Sequence, residues 1–301
     1  MERGGGGSIV TEERKREEEI LPFVIDVNSR SIVLDKIELT PEDVLALKFS
    51  KILANLNIQY CILADYIASL FGRSRLSEDI DFLIELPSEK EFIEICKKAF
   101  SEGFEVLQTI RQNENGWREV YKNYVREFLP IQFLYKKMIF HPRIDLRPAK
   151  TTVDRYSILN RYEVVFRGSR LYIAPIEVQI AYKLRLGSRK DIGDAVYLLT
   201  LFKRHIDFNE LTRWARELNV LNLLQKICRK ASELENPKSK RERIGESNSI
   251  IEDVIVEEIL SAITEAGLVM RFGREWFRQV AKWSWDCLES VSYTHLTLPT
   301  N

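Results

Sequence analysis

Residues 58–85 constrain this chain more than any other stretch. Ile58-Gln-Tyr-Cys-Ile-Leu63 is a short apolar run bounded by Asn57 and Asp65, which reads as a buried strand. Tyr66 to Phe71 reads as one or two helical turns closed by Gly72. Asp79-Ile-Asp-Phe-Leu-Ile-Glu85 then alternates polar and apolar residues, the pattern of a second strand. Side chains two apart on a strand share a face, so Asp79 and Asp81 point the same way. Two adjacent carboxylates repel unless a cation or a basic group lies between them. Mg²⁺ takes oxygen ligands and keeps positions open for water and phosphate, which suits such a pair to phosphoryl-type transfer. Arg73 and Arg75, in the preceding loop, are placed either to hold phosphates or to pair with the two acids; both readings stay open.

The flanks complete a small α/β unit. Thr40, Pro41, Glu42 and Asp43 open a helix whose apolar face is Val44, Leu45, Leu47, Phe49, Ile52 and Leu53. Ser88 to Phe100 is helical, and Leu129-Pro-Ile-Gln-Phe-Leu-Tyr135 is a third strand candidate. After Pro148 the pattern turns mainly helical, beginning with a hairpin around Gly168. Helices follow from Pro175 to Leu186, from Ser188 to about Lys203 and from Asn209 to Leu218. Trp276, Phe277, Trp283 and Trp285 read as core or interface, since no polar pattern accompanies them. The expected organisation is a flexible segment 1–34, an α/β core 35–148 and a mainly helical domain 149–290. The polar stretch 236–249, with Lys238, Lys240, Arg241 and Arg243, is a linker within the last.

Composition removes several function classes. The 301 residues carry 45 Lys+Arg against 45 Asp+Glu, a formal net charge of zero, which is not the basic signature of a protein living on nucleic acid. Four dispersed cysteines and three histidines argue against a structural zinc site or a disulfide framework. No apolar run approaches a membrane span, and the first residues lack the apolar core of a signal peptide, so a cytoplasmic protein is expected.

The stretch Ile62 to Ile84, with its Phe-Gly-Arg-Ser-Arg and Ser-Glu-Asp-Ile-Asp segments, resembles the nucleotidyltransferase superfamily with a DNA polymerase beta-like core. It is most similar to the AbiEii-type toxins and their uncharacterised archaeal relatives. Ile176-Glu-Val-Gln-Ile-Ala-Tyr-Lys-Leu-Arg-Leu-Gly-Ser-Arg-Lys-Asp-Ile-Gly-Asp-Ala195 is similar to a second motif of that family. The resemblance covers roughly residues 40 to 220. It implies a mixed-sheet α/β nucleotidyltransferase core followed by a mainly helical domain. It also implies Mg²⁺ on Asp79 and Asp81, with phosphates held by Arg73 and Arg75. Lys183, Lys190 and Asp191 are implied at a cleft between the two domains, near nucleotide or acceptor. The implied reaction moves a nucleotidyl group from a nucleoside triphosphate to a hydroxyl of tRNA, protein or a small molecule, in a toxin whose partner is a separate antitoxin. From the residues alone, Ser188 with Asp191 reads as a capping-box variant at the start of a helix. Val291 to Asn301 resembles a translated sequencing-adapter tail and is set aside from fold and function.

Two positions depart from the family pattern. The turn after the first strand, normally Gly-Gly or Gly-Ser so that bare backbone can approach the triphosphate, reads Ala64-Asp65. A carboxylate ~5 Å from a phosphate charge costs ~3 kcal/mol at an effective dielectric near 20 unless a cation intervenes. The family's third carboxylate is matched by Gln132, which can coordinate through its carbonyl but is a poor base; Asp145, downstream, is the candidate substitute. The alternative to an active enzyme is therefore a degenerate relative that binds nucleotide or protein without turnover.

Overall fold

The computed structural model describes residues 22–138, 142–235 and 250–284. The chain opens with a hairpin of β1 (Phe23–Asp26) and β2 (Ser31–Leu34), followed by α1 (Pro41–Asn55). Thr40 and Asp43 close a capping box on α1, with Pro41 in its first turn. β3 (Tyr60–Leu63), α2 (Asp65–Leu70) and β4 (Asp79–Ile84) come next, then α3 (Glu89–Ser101) and β5 (Phe104–Val106). After α4 (Glu114–Val120), a π-helical stretch Tyr121–Val125 leads to β6 (Ile131–Tyr135) and β7 (Arg143–Pro148). α5 (Thr152–Leu159) precedes the hairpin β8 (Tyr162–Phe166) and β9 (Ser169–Ile173). Among the described residues, the elements that follow are helices: α6 (Ile176–Leu186), α7 (Arg189–Leu201), α8 (Phe208–Glu217), α9 (Leu221–Glu235), α10 (Ile250–Phe272) and a further helix over 274–284.

Among the described residues, nine strands form one mixed sheet in the order β1-β2-β8-β9-β3-β4-β7-β6-β5. β4 runs antiparallel to β3 and parallel to β7, and β7 is antiparallel to β6. The face carrying Ile80, Phe82 and Ile84 is buried with Leu45, Phe49 and Ile52 of α1 and Phe92 and Ile95 of α3, in the main apolar core. The opposite face has a much smaller core of Cys61, Leu63, Ala64, Leu83, Ala149, Ile158 and Ala174, with Tyr182 packed against it. Beyond that patch the second face is polar. At the start of β4 it presents Asp79 and Asp81, both partly buried and Asp81 the more so. On β7 it presents Arg143, Asp145 and Arg147.

Two organisational expectations need correction. Residues 23–34, expected to be loose, form the β1–β2 hairpin: Phe23, Ile32 and Leu34 are buried, and the Asp26 carboxylate accepts the N–H groups of Asn28 and Ser29 to make the turn. The boundary set at 148/149 does not interrupt the sheet, because β8 and β9 insert between β2 and β3. The hairpin itself was legible; its place in the sheet depends on long-range pairing, Ser31 with Glu163 and Ile62 with Ile173. Residues 1–21, the 236–249 stretch, Trp285 and the 291–301 tail lie outside the described residues.

Candidate functional site

Two constellations of charge meet at the carboxyl end of β3 and the start of β4. The first is a row across the open sheet face. In the ladder Asp81 lies beside Asp145 on β7, and Asp145 lies beside Gln132 on β6. Residues in register on adjacent strands share a face, as do residues two apart on one strand, so Asp79, Asp81 and Asp145 lie on one face. Burial, together with the neighbouring Asp145, Asp65 and Asp79 charges, pushes the Asp81 carboxyl up to about 7 against the pull of Arg147. Burial and the Asp79 charge likewise raise Asp145. Asp145 Oδ1 is buried with no hydrogen-bond partner among the described residues. Two guanidinium groups flank the row: Arg143 Nε lies 3.2 Å from Asp79 Oδ1, and Arg147 Nε lies 3.8 Å from Asp81 Oδ1. Arg147 also donates to the Tyr182 hydroxyl at 3.3 Å.

Gln132 thus stands one strand further out than the sequence reading places the third acid, and the carboxylate in line with Asp79 and Asp81 is Asp145. A signal for it was present. Arg143-Ile-Asp-Leu-Arg147 alternates as strictly as Asp79-Ile-Asp-Phe, and the apolar Ile144 and Leu146 are both buried.

The second constellation is an ion cage around Lys183, whose side chain is fully buried. Its ammonium contacts Asp65, and lies 2.8 Å from each of Asp191 and Asp194. Asp65 also contacts Lys190 and sits 3.2 Å from Arg75 Nη1. Arg75 grips Asp194 through Nε at 2.9 Å and Nη2 at 2.5 Å. Arg73 extends the network to Asp194 at 2.7 Å and to Glu258 of α10 at 2.5 Å, with Glu265 3.5 Å away. Burial opposes the charge on Asp65, yet Arg75 and Lys183 hold its carboxyl well below the usual carboxylate range. Lys183 is raised in turn: burial works against its charge, and Asp194 and Asp65 outweigh it.

The cage answers the expectation about Asp65. Three cations contact this carboxylate, so it is not a bare charge beside an incoming polyanion. Asp65, Asp191 and Asp194 bring oxygens within 4.8 Å of one another, close enough to hold a metal ion. The Lys183 ammonium, bonded to all three, supplies the positive charge there. Arg73 and Arg75 are spent on carboxylates, which ties the β4 approach to α7 and α10. Lys190, half-exposed, has Asp65 as its partner.

Between the two constellations lies the turn at Ala64. Its backbone adopts φ 65°, ψ −132°, a conformation natural to glycine and strained for alanine. Gln179 of α6 clamps the turn: Ala64 N–H donates to Gln179 Oε1 at 3.0 Å, and Gln179 Nε2 donates to the Ala64 carbonyl at 2.6 Å. The glycine-type turn is therefore kept without the glycine. Ser188 caps α7 by accepting from Asp191 N–H.

No protein-family model and no curated relative matches this chain. Among solved structures, that of an antigenic nucleotidyltransferase-like protein from Paracoccidioides brasiliensis is similar at a TM-score of 0.42 and 18% identity, over 65% of this chain and 94% of that one. The apo form I of a tRNA-processing enzyme is similar at a TM-score of 0.30 and 16% identity, over 88% of this chain and 83% of that one. Scores this low assign neither a fold nor an activity.

Proposed function

We propose that the chain is a divalent-metal-dependent nucleotidyltransferase whose site is the open sheet face at Asp79, Asp81 and Asp145. The observation that carries this reading is three carboxylates on one sheet face, Asp81 in register with Asp145 and Asp79 two residues before Asp81, with Asp145 Oδ1 buried and without a partner among the described residues. Like charges held together in this way fit a hard cation. Asp79, Asp81 and Asp145 would hold Mg²⁺, which when bound neutralises charge on a triphosphate. In the transfer, an acceptor hydroxyl oxygen bonds to the α-phosphorus, the bond to the bridging oxygen breaks, and pyrophosphate leaves. The Asp145 carboxylate oxygen not bound to the metal would receive the acceptor proton. Arg143 and Arg147, already beside the acids, take the phosphate role first assigned to Arg73 and Arg75. Lys183, Lys190 and Asp191 act with Asp65 to fix the turn at Ala64, where the triphosphate would pass. A toxin role with a separate antitoxin rests on the motif resemblance, and the acceptor is left open among tRNA, protein and small molecule.

The test is incubation of the protein with each labelled nucleoside triphosphate and Mg²⁺. Label is expected on an acceptor with wild type, and is lost with Asp79→Asn/Asp81→Asn and with Asp145→Asn. Equal labelling by wild type and the Asp79→Asn/Asp81→Asn variant overturns the assignment. The rival reading, a non-catalytic binder, draws on the same arginines, since Asp79 and Asp81 already have guanidinium partners. It is distinguished by tight binding of a non-hydrolysable triphosphate that is indifferent to Mg²⁺, with no turnover.

A further inference from the structure

Two side chains one helical turn apart on α6 hold two consecutive residues of the turn beside Asp81. Leu63 is in register with Asp81, so Ala64 and Asp65 follow directly beside the proposed metal row. Lys183 contacts the Asp65 carboxylate, while Gln179, four residues earlier, takes the backbone of Ala64 from both sides of the residue. Gln179 is 1% exposed, and its amide offers a donor and an acceptor side by side, which matches the C=O and N–H of a single residue. What it grips is strained. Among the described residues, Arg30, Asn57, Ala64, Phe128, Arg167 and Asn219 are the non-glycine residues with positive φ, and Ala64 is the buried one of that set. Ala64 also belongs to the small apolar core with Leu63 and Leu83, so its methyl is committed there. A strained, buried backbone persists only where its surroundings over-determine it.

A clamp whose purpose was stability alone would more simply hold an unstrained residue, or a glycine. Gln112 is such a clamp. Its Oε1 accepts the Val106 N–H at 3.0 Å and its Nε2 donates to the Val106 carbonyl at 2.8 Å, on the regular strand β5 at the far edge of the sheet. Gln179 makes the same pair of bonds to a backbone that opposes them, next to the acids. The Ala64 N–H is spent on Gln179, so the clamp does not offer that group to a phosphate; it fixes the path of the chain from β3 into Asp65. Close approach of a phosphate chain to backbone ordinarily calls for glycine at such a turn. We propose that Gln179 is a positioning residue of the nucleotidyltransferase site, holding Ala64 in the conformation that glycine takes unaided and so keeping the turn clear of a triphosphate at the Asp79 row. The proposal rests on the reading of that row as the transfer site.

Calorimetric titration of the full chain with the α,β-methylene analogues of ATP, CTP, GTP and UTP, in the presence of Mg²⁺, tests this, because none of these can be cleaved at the bond the reaction breaks. Gln179→Met keeps the side chain's length and loses both bonds. It is expected to weaken analogue binding about tenfold, and to raise KM for labelling by a similar factor with kcat within about threefold of wild type. Gln112→Met removes the matching clamp on Val106 and is expected to lower the melting temperature while binding the analogue within about threefold of wild type. Glycine at position 64 needs no clamp, so Gln179→Met/Ala64→Gly is expected to recover most of the lost affinity, a non-additivity that a general loss of stability does not produce. Where Gln179→Met melts below the assay temperature, Gln179→Glu, which keeps an acceptor for the Ala64 N–H, is read instead and is expected to weaken binding about threefold. Unchanged binding in the Gln179 variant, equal losses in the Gln179 and Gln112 variants, or no recovery with Ala64→Gly each overturns the proposal and leaves the Asp79 row standing. Absence of Mg²⁺-dependent binding and labelling in wild type overturns the transfer site itself, and the role of Gln179 with it.

Discussion

Replacing Lys183 by methionine keeps the volume of a fully buried side chain and removes the charge to which three carboxylates are bonded. Deleting one partner of a buried pair typically costs about 3–5 kcal/mol, because the other charge stays buried without compensation. Here the loss falls near the lower end, about 3 kcal/mol, since Arg75 still holds Asp194 and Asp65, and Lys190 still holds Asp65. Among the described residues the Asp191 carboxylate keeps the Ser188 hydroxyl, which donates to Oδ2 at 2.6 Å, as its close partner. The pH dependence gives an independent check. In wild type, Asp65 and Asp191 are lowered, so their contribution is present above the ordinary carboxylate pKa and is lost as pH falls through the folded values. In Lys183→Met, Asp191 loses its cation beside Asp65 and rises above the ordinary carboxylate value, so the variant loses stability as pH climbs above about 4. The gap between the two proteins is therefore widest near pH 7 and narrows toward pH 4. Urea unfolding followed by circular dichroism at pH 4, 5.5 and 7 measures it, with the slope m checked for constancy. A loss below about 1 kcal/mol at pH 7, or one that does not shrink on acidification, would refute the view that this ammonium neutralises the cage.

Other outcomes follow from single residues. In metal-free buffer, the raised Asp81 contributes stability that is fully present below about pH 4 and is lost as pH rises through about 7. Asp81→Asn is expected to flatten that decline in a melting series, and Mg²⁺ to raise the wild-type midpoint more at pH 8 than at pH 5. At Ala64, glycine relieves about 1–3 kcal/mol of strain, offset by about 0.5–1 kcal/mol of chain entropy and a lost methyl. Ala64→Gly should match or exceed wild type in melting temperature, whereas the β-branched Ala64→Val should lie clearly below it; the reverse order rejects the strain argument. In a helix interior Gly→Ala ordinarily gains about 1 kcal/mol, but a Cβ on Gly193 would meet Glu258 Oε1 at 2.2 Å and Arg73 Nη2 at 2.4 Å. Gly193→Ala is accordingly expected to destabilise and to speed proteolysis within α10; slower cleavage than wild type contradicts the close packing of α7 and α10.

What the sequence made legible follows local physics. The alternation of Asp79-Ile-Asp-Phe, the Thr40-Pro41 start of α1, the Ser188 cap and the Gly168 hairpin each depend on neighbours within a few residues, and each is found where expected. Asp145 carried a comparable alternation signal, but its role is set by the pairing of β4 with β7 across more than sixty residues. The cage is less legible still. Nothing local tells whether Arg73 and Arg75 face a phosphate or a carboxylate; that depends on α7 and α10 arriving with Asp194, Glu258 and Glu265. Asp65 misleads for the same reason, since two of its three cations, Lys183 and Lys190, come from over a hundred positions away.

The sheet order also sets a timetable for synthesis. β1 and β2 are among the first strands to leave the ribosome, yet β2 pairs through Ser31, Ile32 and Val33 with β8, about 130 residues later. At about 5–20 residues per second, the outer edge of that hairpin waits roughly 7–26 seconds for its partner. β3 waits nearly as long for β9, while β4 can join it almost at once. The nascent chain thus carries two unsatisfied strand edges whose correct partner is the single hairpin β8–β9, which must enter between them. An unpaired edge invites pairing with another chain. Val24 and Val33, exposed on the early hairpin, make it the segment where crowding on a polysome would first divert folding into aggregation.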